Sequence, residues 1–256
     1  MIHPTAQVDA TCRLGADVEV GPYSILGPDV EVGAGTTIGP HVIIEGPTRI
    51  GKANRIAAFS VLGGPPQDKK YQGEATSLEI GDRNTIREYC TFNRGTEQGG
   101  GRTVVGDDNW IMAYVHVAHD CEVGSDVTMA NGSTLAGHVR LGDRAILGAF
   151  TVVHQFCAIG IHAFSAMGTV IFKDVPPYVT VSGNSAAPHG INSEGLRRAG
   201  FDSETIRTLR QAYKLLYKKG FSVEQALSEL EVLQQRQEKI GPLIDFVRGS
   251  QRGIVR

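Results

Sequence analysis

Aliphatic residues recur every six positions at the start of the chain: Ile2, Val8, Leu14, Val20, Leu26, Val32, Ile38, Ile44, Ile50, Ile56 and Leu62. In seven of those steps the next residue is glycine, and two positions earlier stands a small residue or valine in most repeats. After an interruption the count resumes in phase at Ile80, Ile86 and Phe92. After a second it restarts one residue out of phase at Val105 and continues through Ile111, Val117, Val123, Met129, Leu135, Leu141, Leu147, Val153 and Ile159 to Ile171, broken only at Ser165. One inward aliphatic and one turn residue per six positions predict a parallel β-helix. An α-helix is excluded, because a 3.6-residue period is absent and glycine at this density would cost it about 1 kcal/mol per residue. Each hexad supplies a short strand and a turn, and successive coils pair through backbone hydrogen bonds about 4.8 Å apart.

The repeat resembles that of the hexapeptide-repeat proteins, which implies a left-handed coil of three hexads, or 18 residues. Periodicity alone gives no hand, and parallel crossovers are normally right-handed. Two excursions leave the coil, GPPQDKKYQGEATSL at 64–78 and RGTEQGGGRT at 94–103; polar and glycine-bearing, they read as loops. The first gathers acid, base and aromatic groups at Gln67-Asp68-Lys69-Lys70-Tyr71, as a ligand-contacting loop would. From about Gly190 the six-residue period gives way to a helical one. Asp202 or Ser203 caps a helix that puts Ile206, Leu209, Tyr213, Leu216 and Tyr217 on one face before Gly220 ends it. Ser222 starts another with Val223, Ala226, Leu227 and Leu230 inward, and Gly241-Pro242 separates a last short segment. The expected fold is mainly β: a left-handed parallel β-helix of hexapeptide repeats over 1–189, with its two loops, followed by a small C-terminal α-helical domain over 190–256.

Composition narrows the function. Glycine, 32 of 256 residues, is well above the usual share of about 7%, and aromatics are few, which fits many tight turns around a narrow interior. With 25 basic and 27 acidic residues the net charge is −2, without the electrostatic footprint of a nucleic-acid binder. Met1-Ile2-His3-Pro4 lacks the start of a signal peptide, and the longest apolar run, 145–153, falls far short of the roughly 18 to 20 residues that span a bilayer. Cys12, Cys90, Cys121 and Cys157 form no CxxC pair and read as small apolar residues kept reduced. A cytoplasmic protein that does not span a membrane is expected.

Against this background AYVHVAHDCEVG, 113–124, stands out by placing His116, His119 and Asp120 in one repeat. The coil interior is filled by aliphatics, so a site must lie on an outer face, roofed by a loop or a neighbouring subunit. At 18 residues per coil His119 stacks below Gly137 and Gln155, with His138 and His154 one position aside, all within roughly 10 Å. Three uses are open. His116-x-x-His119 with His138 could bind a metal, as in zinc hydratases built on hexapeptide coils. Turn histidines could instead hydrogen-bond backbone carbonyls. Or one imidazole, oriented by a carboxylate or carbonyl and facing a glycine N–H, could act as a general base. Cys121 occupies a coil position that wants a small residue, which argues against a thiol nucleophile.

At HVAHDC (116–121), LAGH (135–138), VHQFC (153–157), PPQDKKY (65–71), IGDRNTIRE (80–88) and NSEGLRRAGF (192–201) the chain resembles the acyl-carrier-protein:UDP-N-acetylglucosamine O-acyltransferases, which begin lipid A synthesis in Gram-negative bacteria. The likeness covers essentially the whole chain. It implies a homotrimer without cofactor or metal that moves a 3-hydroxyacyl group from acyl carrier protein to the sugar 3-hydroxyl of UDP-N-acetylglucosamine. By matched motif His119 is the general base, Asp120 supports it, and the Gly137 N–H holds the oxyanion. Asp68, Lys70, His116 and His138 contact the sugar and its phosphates, His154 and Gln155 line the nucleotide and acyl region, and Asn192, Glu194 and Arg198 hold the UDP part. Met167 falls where long-chain members carry glycine, which implies a shorter acyl chain. Asn93 in place of a histidine, Ala57-Ala58 in place of a bulkier polar pair and Ala199 in place of an arginine depart from the pattern. The helical domain's Arg197, Arg198, Arg207, Arg210, Lys214, Lys218 and Lys219 offer a basic face to the acidic carrier. Another hexapeptide acyltransferase, using acyl-CoA or a different nucleotide sugar, a zinc-dependent hydratase and a non-catalytic scaffold are the competing readings.

Overall fold

The computed structural model describes all residues from Met1 to Arg256. Gln7 pairs with Ile25, Ile25 with Ile43 and Ile43 with Val61, a constant step of 18 residues, so three hexads make one coil. The chain winds into a left-handed parallel β-helix with three sheets of nine, eight and ten short strands. The first sheet, here the histidine face, runs from Gln7–Val8 to Val170–Ile171. The second, the charged face, runs from Arg13–Leu14 to Ala158–Ile159. The third, the helix-side face, starts at Glu19–Val20 and closes with an antiparallel hairpin of Val179–Ser182 and Ala187–Ile191, which carries the chain into the helices.

Register explains both interruptions of the hydrophobic count. Across the first loop the step grows from 18 to 30, from Val61 to Thr91; the 12 extra residues are two whole hexads, so phase is kept. Across the second it is 25, from Thr91 to His116; the 7 extra residues are a hexad plus one, hence the shifted restart. The loops are slightly shorter than the sequence suggests, because Leu78 pairs with Thr103 and draws Ser77–Ile80 and Arg102–Val105 into the charged face.

Inside, every hexad position from Val20 to Ile171 is at most 4% exposed. Each such aliphatic contributes roughly 1.5–3 kcal/mol by leaving water. Ser165, the one polar residue among them, shares a hydrogen bond with Thr151 Oγ1 at 2.8 Å and accepts one from the Gly148 N–H at 3.3 Å. Buried asparagines form a second internal ladder: the Asn84 N–H donates to Asn54 Oδ1 at 2.8 Å and the Asn109 N–H to Asn84 Oδ1 at 2.9 Å.

Outside, the faces differ in character. Arg13, Glu31, Arg49 and Glu79 are successive neighbours along the charged face, continued by Glu122 and Arg140. On the histidine face Ile25, Ile43 and Val152 stay 37–43% exposed.

The C-terminal part comprises α1 (Ser193–Arg198), α2 (Ser203–Tyr217), α3 (Val223–Gln234) and α4 (Gly241–Gly249). Asp202 caps α2 by accepting from the Thr205 N–H at 2.8 Å, and Ser222 with Gln225 forms a capping box on α3. Ile206, Leu209 and Leu216 of α2 pack with Leu196, Leu230 and Ile244, while Tyr213 joins the coil's own core. Val223 and Leu227 lie at the edge of this cluster, half-buried. No helix is long and apolar enough to cross a membrane.

Candidate active site

His119 and Asp120 form the turn between His116–Val117 on the histidine face and Glu122–Val123 on the charged face. Asp120 has φ of 60°, repeated one and two coils on by His138 at 62° and Phe156 at 63°. A left-handed conformation costs a non-glycine residue about 1–2 kcal/mol. Stacking of the His138 and Phe156 rings, 4.3 Å apart and inclined by 7°, helps offset it. The corner is held in register by the His138 N–H donating to the His119 carbonyl and the Phe156 N–H to that of Gly137, both at 3.1 Å.

His119 Nδ1 lies 2.7 Å from Asp120 Oδ2, with side chains 15% and 0% exposed. Oδ1 accepts from the Thr96 N–H at 2.7 Å, and Oδ2 also from the Thr96 hydroxyl at 2.6 Å. Burial alone would raise the Asp120 carboxyl, but the bonds from His119 and Thr96 outweigh it and hold the group below the usual carboxylate range. An ionised carboxylate only accepts, so Nδ1 of the imidazole carries the hydrogen and Nε2 keeps its lone pair. The ring lies against Gly137, where a Cβ would stand 2.5 Å from His119 Cε1 and 2.8 Å from Nε2. Only glycine fits. The Gly137 N–H donates to no acceptor in the chain. A base and an unengaged amide donor therefore share one exterior corner, the pairing that acyl transfer requires.

The other candidates fall into two groups. His116 Nδ1 is 2.7 Å from Thr91 Oγ1, and burial pushes the imidazole below the ordinary histidine value. His138 Nε2 is 3.6 Å from Asp120 Oδ2; burial lowers it too, opposed by the charges of Asp120 and Asp68. Asp68 is thus within electrostatic reach from the first loop, where its Oδ1 accepts from the Lys70 N–H at 3.0 Å, and the Lys70 side chain is exposed. His154, its Nδ1 3.1 Å from the Gln155 carbonyl oxygen, lies two coils beyond His119's turn beside exposed Gln155.

Asn192, Glu194 and Arg198 are not with them. They line a hollow of about 880 Å³ over the helix-side face, with Asp126, Arg144 and His162. There Asn192 caps α1, its Oδ1 accepting from the Gly195 N–H at 3.0 Å and its Nδ2 donating to the His162 carbonyl at 3.1 Å. Glu194 pairs with Arg197 and, at 3.3 Å, with Arg198. Met167 stands 74% exposed at the corner between the helix-side and histidine faces. A further cavity of about 590 Å³, between the charged face and α4, holds none of the histidines.

Two competing chemistries fit the geometry poorly. The Cys121 thiol is buried, which pushes it up to about 12, so no thiolate forms. Ligand atoms of His119, Asp120 and His138 lie within 4.8 Å of one another. Yet the Asp120 carboxylate is already engaged, Oδ1 by the Thr96 N–H and Oδ2 by the Thr96 hydroxyl and His119 Nδ1. Sequence reasoning missed Thr91, Thr96 and Arg94. Arg94 knits the loops together, Nη1 donating to the Gly63 and Gly46 carbonyls at 2.5 and 3.0 Å and Nη2 to Tyr71 Oη at 3.3 Å.

Residues 174–255 match the family described as UDP N-acetylglucosamine O-acyltransferase, domain 2, and residues 11–46, 29–64 and 102–137 match bacterial transferase hexapeptide repeats. The chain is 57% identical to an acyl-[acyl-carrier-protein]–UDP-N-acetylglucosamine O-acyltransferase of Thiobacillus denitrificans over 255 residues, covering 100% of this chain and 99% of the relative. The protein of the same description from Alkalilimnicola ehrlichii is 56% identical with the same coverage. The solved UDP-N-acetylglucosamine O-acyltransferase of Moraxella catarrhalis superposes with a TM-score of 0.98 at 45% identity, over 100% of this chain and 99% of that one.

Gly137→Ala is expected to push the His119 ring off its seat and lengthen its bond to Asp120. A crystal structure of the variant with the ring unmoved would contradict the close packing argued above.

Proposed function

The chain belongs to the UDP-N-acetylglucosamine O-acyltransferase family, and from that premise we propose that it moves a 3-hydroxyacyl group from the thioester of acyl carrier protein to the 3-hydroxyl of UDP-N-acetylglucosamine, the first step of lipid A biosynthesis. The observation that carries the mechanism is the free Nε2 of His119 beside the unengaged Gly137 N–H. Nε2 takes the proton of the sugar hydroxyl as its oxygen attacks the thioester carbonyl carbon. The oxyanion of the tetrahedral intermediate accepts from the Gly137 N–H, an interaction whose loss elsewhere costs about 3 kcal/mol. Collapse expels the carrier's thiolate, which recovers the proton from the imidazolium. Asp120 stays ionised and stabilises that imidazolium.

Asp68, Lys70, His116 and His138 contact the sugar and its phosphates, and His154 and Gln155 line the nucleotide and acyl region. Asn192, Glu194 and Arg198 take the UDP part from a neighbouring subunit. The exposed chemistry of the faces supports this division. The apolar exterior of the histidine face has its counterpart on the helix-side face, where Trp110 is 45% exposed and Ile146 and Phe164 line the hollow. In the homotrimer that the family likeness implies, the histidine side of one chain meets the helix-side face of the next, which leaves the charged face to solvent and turns His119 toward the neighbour's Arg198. The corner between the two packed faces then points to the threefold axis; its rings Tyr23, His41, Phe59, Tyr89 and Tyr114 stack 4.9–5.2 Å apart. A cytoplasmic location agrees with four unpaired cysteines.

The acyl chain crosses the histidine face from His119 toward Met167. Met167 is three coils beyond Ala113 in one column, about 14 Å along the axis. A thioether there shortens the groove, excluding methylenes worth about 0.8 kcal/mol each.

His119→Ala is expected to lower turnover at least 1000-fold with assembly intact; retained activity would remove the base. Trimers mixed from His119→Ala and Arg198→Ala chains should regain about one intact site in three, whereas no recovery would place the site within one chain. Met167→Gly should gain activity on longer 3-hydroxyacyl donors, and an unchanged donor preference would dismiss Met167 as the ruler.

A further inference from the structure

Taking His119 as the base, we propose that Thr96 in the second loop is a positioning residue that fixes the Asp120 carboxylate and so the catalytic imidazole. Thr96 is 2% exposed, and both of its donors go to Asp120: its N–H to Oδ1 at 2.7 Å and its hydroxyl to Oδ2 at 2.6 Å. The hydroxyl's direction is forced. As N-cap of the short turn Glu97–Gly99 it accepts from the Gly99 N–H at 3.2 Å, so its single hydrogen is left for Asp120. Gly99 itself packs on the carboxylate so closely that a Cβ there would overlap it. From the loop's far end Thr103 Oγ1 accepts the Asp120 N–H at 2.8 Å.

These contacts give the loop a use beyond covering the coil. The terminal torsion of an aspartate is soft, and His119 alone holds it by one hydrogen bond. Two bonds from one residue to the two oxygens lock the carboxylate plane and leave one direction on Oδ2 for Nδ1–H. The Thr96 hydroxyl also takes up part of the charge on Oδ2. Without it more of that charge is available to the imidazolium, which favours the protonated ring. The other titratable groups facing the pair are His138, whose Nε2 is 3.6 Å from Oδ2, and His116; Asp68 acts on His138 from the first loop.

The test uses the full-length enzyme with Thr96→Val and Thr96→Ser. Thr96→Val is expected to lower kcat about 10- to 100-fold with the KM for UDP-N-acetylglucosamine within about twofold, and to move the acid limb of the kcat–pH profile to higher pH. Thr96→Ser should restore both. In an Asp120→Asn background, adding Thr96→Val should lower kcat less than about threefold, since the partner is already gone. A loss that tracks only the fraction of folded protein, with an unmoved acid limb and full additivity, would overturn the proposal. A crystal structure of Thr96→Val, or of Thr96→Ala if valine is not tolerated, reads the positioning without any turnover. A rotated Asp120 carboxylate supports it and an unmoved one overturns it, even if the acyl transfer itself were disproved.

Discussion

A backbone hydrogen bond that joins residue i to the coil 18 positions on sets the outer surface of this protein. The inward aliphatics make the ladder stable, and the ladder makes side-chain positions arithmetical. His119 meets Gly137 because the His138 N–H is tied to the His119 carbonyl. A slip of one residue would carry every inward aliphatic to the outside, so the packed interior also guards the geometry of the corner. The two loops respect this constraint, leaving and rejoining the coil while the ladder between neighbouring coils persists.

That arithmetic is why so much was legible from sequence. Counting by six gave the interior, and counting by 18 gave the column of His119, Gly137 and Gln155. Asp202 and Ser222 announced their helices through local capping chemistry, which needs no tertiary knowledge. What counting could not reach lies off the ladder. Thr96 is in a loop with no fixed offset to Asp120, so their contact followed no period. The short helix α1 has too few residues for a helical pattern to register, and Ala187–Ile191 joins its sheet antiparallel, outside the hexad scheme. Asn192, Glu194 and Arg198 were nameable only by resemblance, and in one chain they stand on a different face from the histidines.

That separation follows from the architecture. A coil with a packed interior has no internal cleft, so groups that must meet a substrate stand on its outside, and the turn that carries His119 and Asp120 is convex. Concavity arises only where a loop or a second body covers it. Here the second loop supplies part of the cover and buries Asp120 completely, which strengthens its bond to His119 by excluding water. The remainder is what the proposed trimer would supply, since within one chain the arginine-lined hollow lies over a different face from the histidine corner.

The decisive property is which ring nitrogen of His119 holds its hydrogen. Nitrogen NMR of the ring-labelled protein at neutral pH reads this directly. A hydrogen on Nδ1 with Nε2 bare is the expected result, since Asp120 is an acceptor fixed by three donors. A neutral ring protonated on Nε2 would leave no base facing Gly137 and would contradict the mechanism at its root.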